Sequence, residues 1–199
     1  MFTPKTCAVP GCDGAAFAGT ERCLAHTADP KAAAKALAEK IIEERSAINI
    51  DFSDLSLVAY DFSRCRFVGC RFARTRLSHL MFTGASLRLC FFDTSALDSC
   101  DFSGVDMDFC SFGETEIFDC SFENSELIHV NFDGASIKES TFSSSNLYDS
   151  RFILSTLSHC RFDDCDFKRV YFMPRSSEAV STQGSNIFEA VRDMEHLYI

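Results

Sequence analysis

The sequence predicts an all-β solenoid, in which short extended segments are separated by corners and stacked coil upon coil. Every position ending in 2 from Phe52 to Phe172 is Phe, and every position ending in 7 from Leu57 to Phe167 is apolar, which gives 25 apolar residues at a spacing of five. The 30 charged residues between positions 51 and 172 never occupy a position ending in 0, 2, 5 or 7. A period of five fits neither a helix nor a straight strand. We therefore expect two residues of every five to point inward and three to face water.

The alternation of Phe with aliphatic residues indicates how many sides each coil has. Because it repeats every ten residues, a coil must hold an even number of five-residue segments if like residues are to stack. Four sides would place Phe columns on two opposite sides and mostly Leu, Ile and Met columns on the other two. Neighbouring coils would lie about 4.8 Å apart, which is the ordinary separation of paired strands.

These segments resemble the repeats of a known protein family. The stretches CDFSGVDMDF, HVNFDGASIK and SNLYDSRF are similar to the A-[D/N]-L-x-x repeat of pentapeptide-repeat proteins. The resemblance implies a right-handed quadrilateral β-helix, here of about six coils over residues 48–173. Phe exceeds Leu at the central position, and Cys or Ser often replaces Ala two residues earlier.

A separate segment, residues 1–28, carries a candidate metal site. Cys7, Cys12, Cys23 and His26 form the pattern C-x4-C-x10-C-x2-H. Two close ligand pairs separated by a short loop suit tetrahedral zinc, and four protein ligands would leave no open position for catalysis. The segment is similar to the small CxxxGC…CxxH zinc loops of several otherwise unrelated proteins. The alternative is an unstructured segment whose cysteines are incidental.

The remaining parts flank the repeats. Residues 29–47 predict a capping helix, because Asp29 can cap it, Pro30 suits its first turn and Leu37, Ile41 and Ile42 form an apolar stripe. We expect this helix to cover the first coil. Residues 174–199 predict a mobile linker and a helix from Asn186. That helix either caps the last coil or serves dimerisation or docking through one face, formed by Ile187, Val191, Met194 and Tyr198.

Composition excludes several functional classes. A formal net charge of −10 argues against general nucleic-acid binding. No secretion signal or membrane-spanning run is recognised, so we expect a cytoplasmic protein with reduced cysteines.

The eight cysteines of the repeats could form a metal or redox ladder, but packing as small buried hydrophobes is the preferred interpretation. No motif of a hydrolase, nucleotide-binding loop or metalloprotease occurs, and a zinc-dependent enzyme is a remote third class.

The favoured function is a non-enzymatic scaffold or adaptor that presents its outer side chains to a protein partner. Residues 61–92 carry six Arg and one acid, whereas residues 93–149 carry thirteen acids and one Lys. Quinolone-resistance members of the family that the repeats resemble mimic duplex DNA, bind gyrase and dimerise through C-terminal elements. A DNA-mimicking modulator of gyrase or another topoisomerase is therefore the alternative function. Its acidic face would include Asp101, Asp106, Asp108 and Glu116.

Overall fold

The computed structural model describes residues 6–14, 16–17 and 20–193. From residue 46 onward these residues form a parallel β-solenoid of about seven turns, close to the six predicted. One α-helix, α1 (Pro30–Glu44), precedes it, and short 3₁₀ turns occur at Leu24–His26 and Ile187–Glu189. None of the helices in the described part of the chain has the length and apolarity that a membrane crossing requires.

Each turn of the solenoid has four sides. Strands of three residues form two of the sides, and single-residue bridges form the other two. The strands are β1 (Ser46–Ile48), β2 (Ser56–Val58), β3 (Arg66–Val68), β4 (Arg76–Ser78), β5 (Ser86–Arg88), β6 (Ala96–Asp98), β7 (Asp106–Asp108), β8 (Glu116–Phe118), β9 (Glu126–Ile128), β10 (Ser136–Lys138), β11 (Thr156–Ser158) and β12 (Ser176–Glu178).

Pairing is parallel and always joins residues 20 apart. Side 1 is the sheet β1-β3-β5-β7-β9, and side 3 is the sheet β12-β11-β10-β8-β6-β4-β2. Side 2 is the column of bridges that begins with Asp51 and Arg71, and side 4 is the column that begins with Asp61 and Met81. A residue therefore shares a side with the residues 20 before and after it, and moves to the next side after five.

The core consists of stacked columns, as the sequence predicts. Phe columns occupy sides 2 and 4, which are opposite, while Leu, Ile and Met dominate the columns of sides 1 and 3. Rings stack face to face within a column, as Phe72 does on Phe92 with centroids 4.5 Å apart and planes 2° apart. Across the interior the rings meet edge to face, as Phe92 and Phe102 do at 6.2 Å and 90°. Both are favourable aromatic geometries, so the columns fill the solenoid without a channel.

The small inward residues also hydrogen-bond to the preceding coil. Ser145 Oγ donates to the carbonyl oxygen of Phe122 at 2.7 Å, and Thr115 Oγ1 donates to that of Phe92 at 2.8 Å. The Cys100 thiol donates to the carbonyl oxygen of Leu77 at 3.5 Å. In each case the acceptor lies 23 residues earlier. Ser, Thr and Cys can therefore replace Ala in the core because each finds a partner for its polar hydrogen.

The corners of the solenoid require the left-handed backbone conformation. A residue with φ near +55° ends most five-residue segments, and most of these residues are not glycine. Phe109 and Leu154, for example, have φ of 53° and 57°. Side chains at such corners project outward, and those of Phe109 and Leu154 are exposed.

The helix α1 covers the first coil, which confirms that expectation. The Asp29 side chain accepts a hydrogen bond from the Ala32 amide at 2.9 Å, and Pro30 is the first helical residue. The buried face comprises Ala34, Ala38 and Ile41, while Leu37 and Ile42 are only partly buried.

The expected linker and C-terminal helix are wrong for the described residues. Instead of ending at Pro174, the solenoid continues, because β12 pairs with β11 and Val191 bridges to Tyr171. Asn186 and Glu189 start only a 3₁₀ turn, Ile187–Glu189, without a side-chain cap. Backbone groups of the preceding coil need partners, and a further coil supplies them.

The residues proposed for a dimerisation or docking face therefore do not share a helix. Ile187 is partly buried against the core, and Val191 donates its amide hydrogen to the carbonyl oxygen of Val170 at 2.8 Å. Met194 and Tyr198 lie outside the described residues. Dimerisation through this end of the chain stays a prediction.

Candidate functional site

The four candidate metal ligands lie on two loops that backbone hydrogen bonds hold together. Cys7 donates its amide hydrogen to the carbonyl oxygen of Gly14 at 2.8 Å and closes the loop that carries Cys12. Cys23 and His26 lie at the 3₁₀ turn Leu24–His26, where the His26 amide donates to the Cys23 carbonyl oxygen at 3.0 Å. The close spacing of each ligand pair thus follows from a tight turn in the backbone.

The donor atoms of these four residues converge within 4.8 Å of one another. The Cys12 and Cys23 sulfurs are 3.8 Å apart, and His26 Nδ1 lies 3.2 Å from the Cys23 sulfur and 3.5 Å from the Cys7 sulfur. With metal–sulfur bonds of about 2.3 Å, two thiolates on a tetrahedral ion lie about 3.8 Å apart. The cluster therefore fits a tetrahedral metal ion, and its donors are those that a soft or borderline ion prefers.

The backbone around Cys7 favours its thiolate, which is the metal-binding form of cysteine. Hydrogen bonds from the backbone amides of Cys23 and Val9 lower the pKa of Cys7 to about 6. At Cys12 the Gly14 amide donates to the sulfur at 3.4 Å, but burial and the neighbouring Cys23 and Cys7 thiols leave the pKa of Cys12 raised. A Cβ atom at Gly14 would lie 3.2 Å from Cys23 Cβ, so a glycine lets the two loops approach this closely.

The metal-ligand segment is seated on the solenoid. Phe17 is buried in the same hydrophobic cluster as the first coils, and Leu24 packs against it. A cleft of about 660 Å³ lies at this junction, lined in part by Leu24, Arg71 and Arg74. The Arg74 guanidinium binds both carboxylate oxygens of Asp54 at 2.7 Å.

The four acidic residues expected to form one face lie on three sides of the solenoid. Asp106 and Asp108 belong to β7 on side 1, Glu116 to β8 on side 3, and Asp101 to side 4. The expectation of a single acidic face is wrong because each step of five residues turns one corner of the coil.

Two of these acids also have nearby basic groups. Asp106 pairs with the Arg88 guanidinium at 2.5 Å, and Asp108 Oδ1 lies 2.9 Å from Nδ1 of His129. Asp101 accepts hydrogen bonds from the Thr83 hydroxyl and the Ser103 amide. The negative charge of residues 93–149 is thus spread around the solenoid and partly neutralised.

The arginine-rich stretch likewise surrounds the solenoid. Arg66 lies on side 1, Arg71 on side 2 and Arg76 on side 3, all in the second coil. Positive charge therefore lies on three of the four sides of one coil near the metal-ligand segment, and negative charge dominates the following coils.

Several exposed apolar residues were not singled out from the sequence. Leu89, Phe91 and Phe109 are 51%, 41% and 54% exposed, and Phe118 is 45% exposed. The sequence does carry a signal for them, because Phe91, Phe109 and Phe118 are the phenylalanines that fall at outward positions of the repeats between 52 and 172. Sequence reasoning treated all outward positions as polar.

Comparisons with known proteins agree with the repeat pattern. A model of the pentapeptide repeat region matches residues 115–191, and a model of eight copies of the pentapeptide repeat matches residues 57–93. No curated protein matches the chain.

Several solved structures are similar. HetL from Nostoc sp. strain PCC 7120, a pentapeptide repeat protein involved in heterocyst differentiation regulation, is 13% identical over 79% of this chain and 93% of its own, with a TM-score of 0.34. Rfr23 from Cyanothece 51142 is 15% identical over 80% of this chain and 99% of its own, with a TM-score of 0.39. A trypsin-treated variant of QnrB1, a plasmid-mediated fluoroquinolone resistance protein, is 23% identical over 77% of this chain and 86% of its own, with a TM-score of 0.36.

Proposed function

The chain belongs to the pentapeptide repeat family, and from that premise we propose that it is a non-enzymatic scaffold whose outer side chains bind a protein partner. The observation that carries this proposal is the filled interior of the solenoid. The inward Phe residues from Phe62 to Phe162 are 0% exposed, and their rings stack without a gap from coil to coil. An enzyme needs a concave site with convergent polar groups, and the inside of this solenoid offers none.

The separation of inward and outward positions within each repeat supports the same proposal. Two residues of each five specify the fold, and the other three face solvent and can vary without changing the core. Repeat proteins characteristically bind partners through such extended, variable surfaces. Specificity would then depend on the outward residues alone.

We further propose that Cys7, Cys12, Cys23 and His26 hold one structural zinc ion. Four protein donors complete a tetrahedral shell, so the ion would crosslink the two loops and leave no position for a substrate. Its contribution would be to fold the segment from residue 6 to residue 26, in whose described part few side chains are buried.

Metal analysis of purified protein tests the zinc proposal. We expect about one zinc per chain, lost in Cys23→Ser but retained in Cys160→Ser, which removes a thiol outside the cluster. Both variants should keep the far-ultraviolet circular dichroism of the solenoid. Protein purified without chelator that holds no stoichiometric metal would contradict the proposal.

The alternative is a DNA-mimicking modulator of gyrase. The excess of thirteen acids over one Lys in residues 93–149 favours it. The spread of acids over three sides, the Asp106–Arg88 pair and the arginines of the second coil interrupt the continuous negative surface that a DNA mimic needs. The scaffold function is therefore preferred.

Affinity capture of the tagged full chain from its native host, after chemical crosslinking, tests both candidates. The scaffold function predicts one protein recovered reproducibly, crosslinked to outward residues of the solenoid and absent from an untagged control. Recovery of gyrase subunits would instead support DNA mimicry. In that case, reversing the charges of Asp101, Asp106, Asp108 and Glu116 should abolish inhibition of supercoiling. Absence of any protein above the control would contradict both.

We also propose a reducing compartment such as the cytoplasm. All eleven cysteines are free, including stacked pairs such as Cys100 and Cys120, whose chain positions adjoin in neighbouring coils. Such thiols remain unpaired in reducing compartments and tend to be oxidised elsewhere.

A further inference from the structure

Of the nine large apolar side chains that are exposed in the described part of the chain, three lie at or just past the corner between sides 1 and 2. Leu89 and Phe109 occupy the same corner in consecutive coils and are 51% and 54% exposed. Phe91, just past this corner on side 2, is 41% exposed. Large apolar groups on one part of a surface commonly mark a site of interaction.

Leu89 and Phe109 belong to a column of corner residues spaced 20 apart, which we call the corner strip: Leu89, Phe109, His129, Asp149 and Arg169. The column follows the backbone ladder, since the Leu89 amide donates to the Asp108 carbonyl oxygen at 3.1 Å and the His129 amide to that of Tyr148 at 3.1 Å. All five residues have positive φ, between 53° and 63°. Their side chains are thus presented outward at regular intervals.

Contacts within the strip hold its aromatic side chains in place. The Phe109 ring stacks on the His129 ring with centroids 4.5 Å apart and planes 13° apart. His129 Nδ1 lies 2.9 Å from Asp108 Oδ1, and Tyr148 meets the His129 ring edge-on at 6.2 Å. A side chain that is already ordered loses less entropy when a partner binds.

The lower part of the strip is anchored in the same way. The Arg169 guanidinium lies 5.6 Å from the centre of the Tyr148 ring and 3.3 Å from Asp149 Oδ2. One end of the strip therefore carries the exposed apolar side chains of Leu89 and Phe109, and the other end carries the ion pair between Asp149 and Arg169. Although the Phe109 ring stacks on His129, about half of it remains exposed, and Leu89 is similarly exposed, so the apolar part presents open surface.

Carboxylates lie on the two sides that adjoin the apolar part of the strip. Asp93 lies on side 2 two residues after Phe91, Glu114 lies at the far corner of side 2, and Glu126 is the first residue of β9 on side 1. In the described part of the chain, no Lys or Arg lies within ion-pairing distance of these three. Asp93 accepts only neutral donors, the Ser111 hydroxyl and the Gly113 amide. Arg88, the residue before Leu89, is ion-paired with Asp106, so negative charge predominates around the apolar groups.

We propose that the corner strip docks a protein segment that places an apolar side chain against Leu89 and Phe109 and flanks it with Lys or Arg. The apolar contact would supply most of the affinity, because a few large exposed groups dominate most interfaces. The flanking cations would meet Asp93, Glu114 and Glu126 and accelerate association. This inference rests on the proposed scaffold function and names the surface and the partner class.

A display library of randomised peptides, selected on the immobilised full chain, tests the inference. We expect enriched peptides to combine an aromatic or aliphatic residue with Lys or Arg and to bind more weakly as salt rises. Phe109→Asn should reduce their affinity by about tenfold or more. Asn is chosen because it tolerates the positive φ of this corner.

Phe118→Asn is the matched control. Phe118 is the same residue type, similarly exposed at 45%, and lies in the same coil on side 3, away from the strip. We expect it to bind the enriched peptides within about twofold of wild type, since residues outside an interface contribute little. Far-ultraviolet circular dichroism should be the same for both variants.

Three results would overturn the inference: enriched peptides without basic and apolar residues, no enrichment at all, or equal binding by wild type and Phe109→Asn. A host partner that binds Phe109→Asn as well as wild type would also overturn it, yet would leave the scaffold function intact. The absence of a host partner in the capture experiment would instead count against the scaffold function itself.

Discussion

At the scale of the residue, the inward phenylalanines illustrate how the repeat is stabilised. Phe112 is 0% exposed and stacks on Phe92 and Phe132 at centroid distances of 4.6 and 5.1 Å. It also meets Phe102 and Phe122 edge-on. A single side chain therefore contacts both neighbouring coils and the opposite column.

Phe112→Ala should destabilise the chain by about 3–5 kcal/mol, because it removes a buried ring from a close-packed column that cannot collapse freely. Phe118→Ala removes the same ring from an outward position and should change the free energy of unfolding by less than about 0.5 kcal/mol. Chemical-denaturation midpoints compare the two. Equal losses would show that the inward and outward positions have been misassigned.

The cysteines fall into two groups with different reactivity. The eight repeat cysteines are buried, and burial raises the pKa of Cys165 to about 11, while a hydrogen bond with the Cys110 thiol raises that of Cys90 to about 12. A raised thiol pKa keeps these two groups protonated at neutral and moderately alkaline pH. Burial shields all eight from reagents, including Cys100, whose pKa is lowered by its hydrogen bond with the Cys120 thiol. Packing, rather than a redox or metal ladder, accounts for them.

Thiol alkylation at neutral pH should therefore proceed in three stages. The folded, metal-loaded chain should react at none of its eleven cysteines, removal of the metal should release Cys7, Cys12 and Cys23, and unfolding should release the rest. Mass spectrometry counts the labels at each stage. Rapid labelling of repeat cysteines in the folded chain would contradict the assigned core.

At the scale of the element, α1 could be predicted from its sequence, because the helix that its residues favour locally is also the helix that packs on the first coil. Asp29 and Pro30 marked its start. Of the predicted apolar stripe, Ile41 is fully buried and Leu37 and Ile42 are partly buried, while the small residues Ala34 and Ala38 complete the buried face. The solenoid was predictable for a similar reason, since every repeat from Phe52 to Phe172 has an apolar residue at its central position, and this residue is the one that points inward.

Asp29→Ala should loosen α1 locally. Loss of the hydrogen bond to the Ala32 amide should cost about 1 kcal/mol, which corresponds to about fivefold faster exchange of amide hydrogens in the first helical turns. Asp29→Asn, which keeps an acceptor oxygen, should exchange nearly as slowly as wild type. Identical exchange in all three proteins would show that the cap does not stabilise this helix.

The last coil was not predictable, because its sequence conflicts with its tertiary setting. Ser177 and Thr182 occupy the central positions that are apolar elsewhere, and Asn186 with Glu189 carries the local signature of a helix start. The open edge of the previous coil overrides both preferences, since Ser181 and Val191 donate their amide hydrogens to it. The clustering of Cys7, Cys12, Cys23 and His26 was predictable from their spacing. The sides on which the acidic residues lie were not, because they depend on the number of residues in each coil.

At the scale of the whole molecule, the solenoid separates stability from recognition. Inward columns run through about seven turns, while charge and exposed apolar groups vary from coil to coil on the outside. Arginines lie on three sides of the second coil, carboxylates dominate the next coils, and the corner strip crosses the acidic region. The scaffold function predicts that a bound partner changes the exposure of outward side chains only and leaves the inward columns as they are.

Hydroxyl-radical footprinting of the full chain, free and bound to its captured partner, measures this most directly, because it reports the exposure of individual Phe, Leu and Met side chains. The free chain should be oxidised at exposed residues such as Leu89, Phe109, Phe118 and Met81, but not at inward residues such as Phe112. Binding should protect outward residues, with Leu89 and Phe109 among them, and leave the inward columns unchanged. Oxidation of inward residues that changes on binding, with every outward residue unaffected, would contradict a scaffold that acts through its surface.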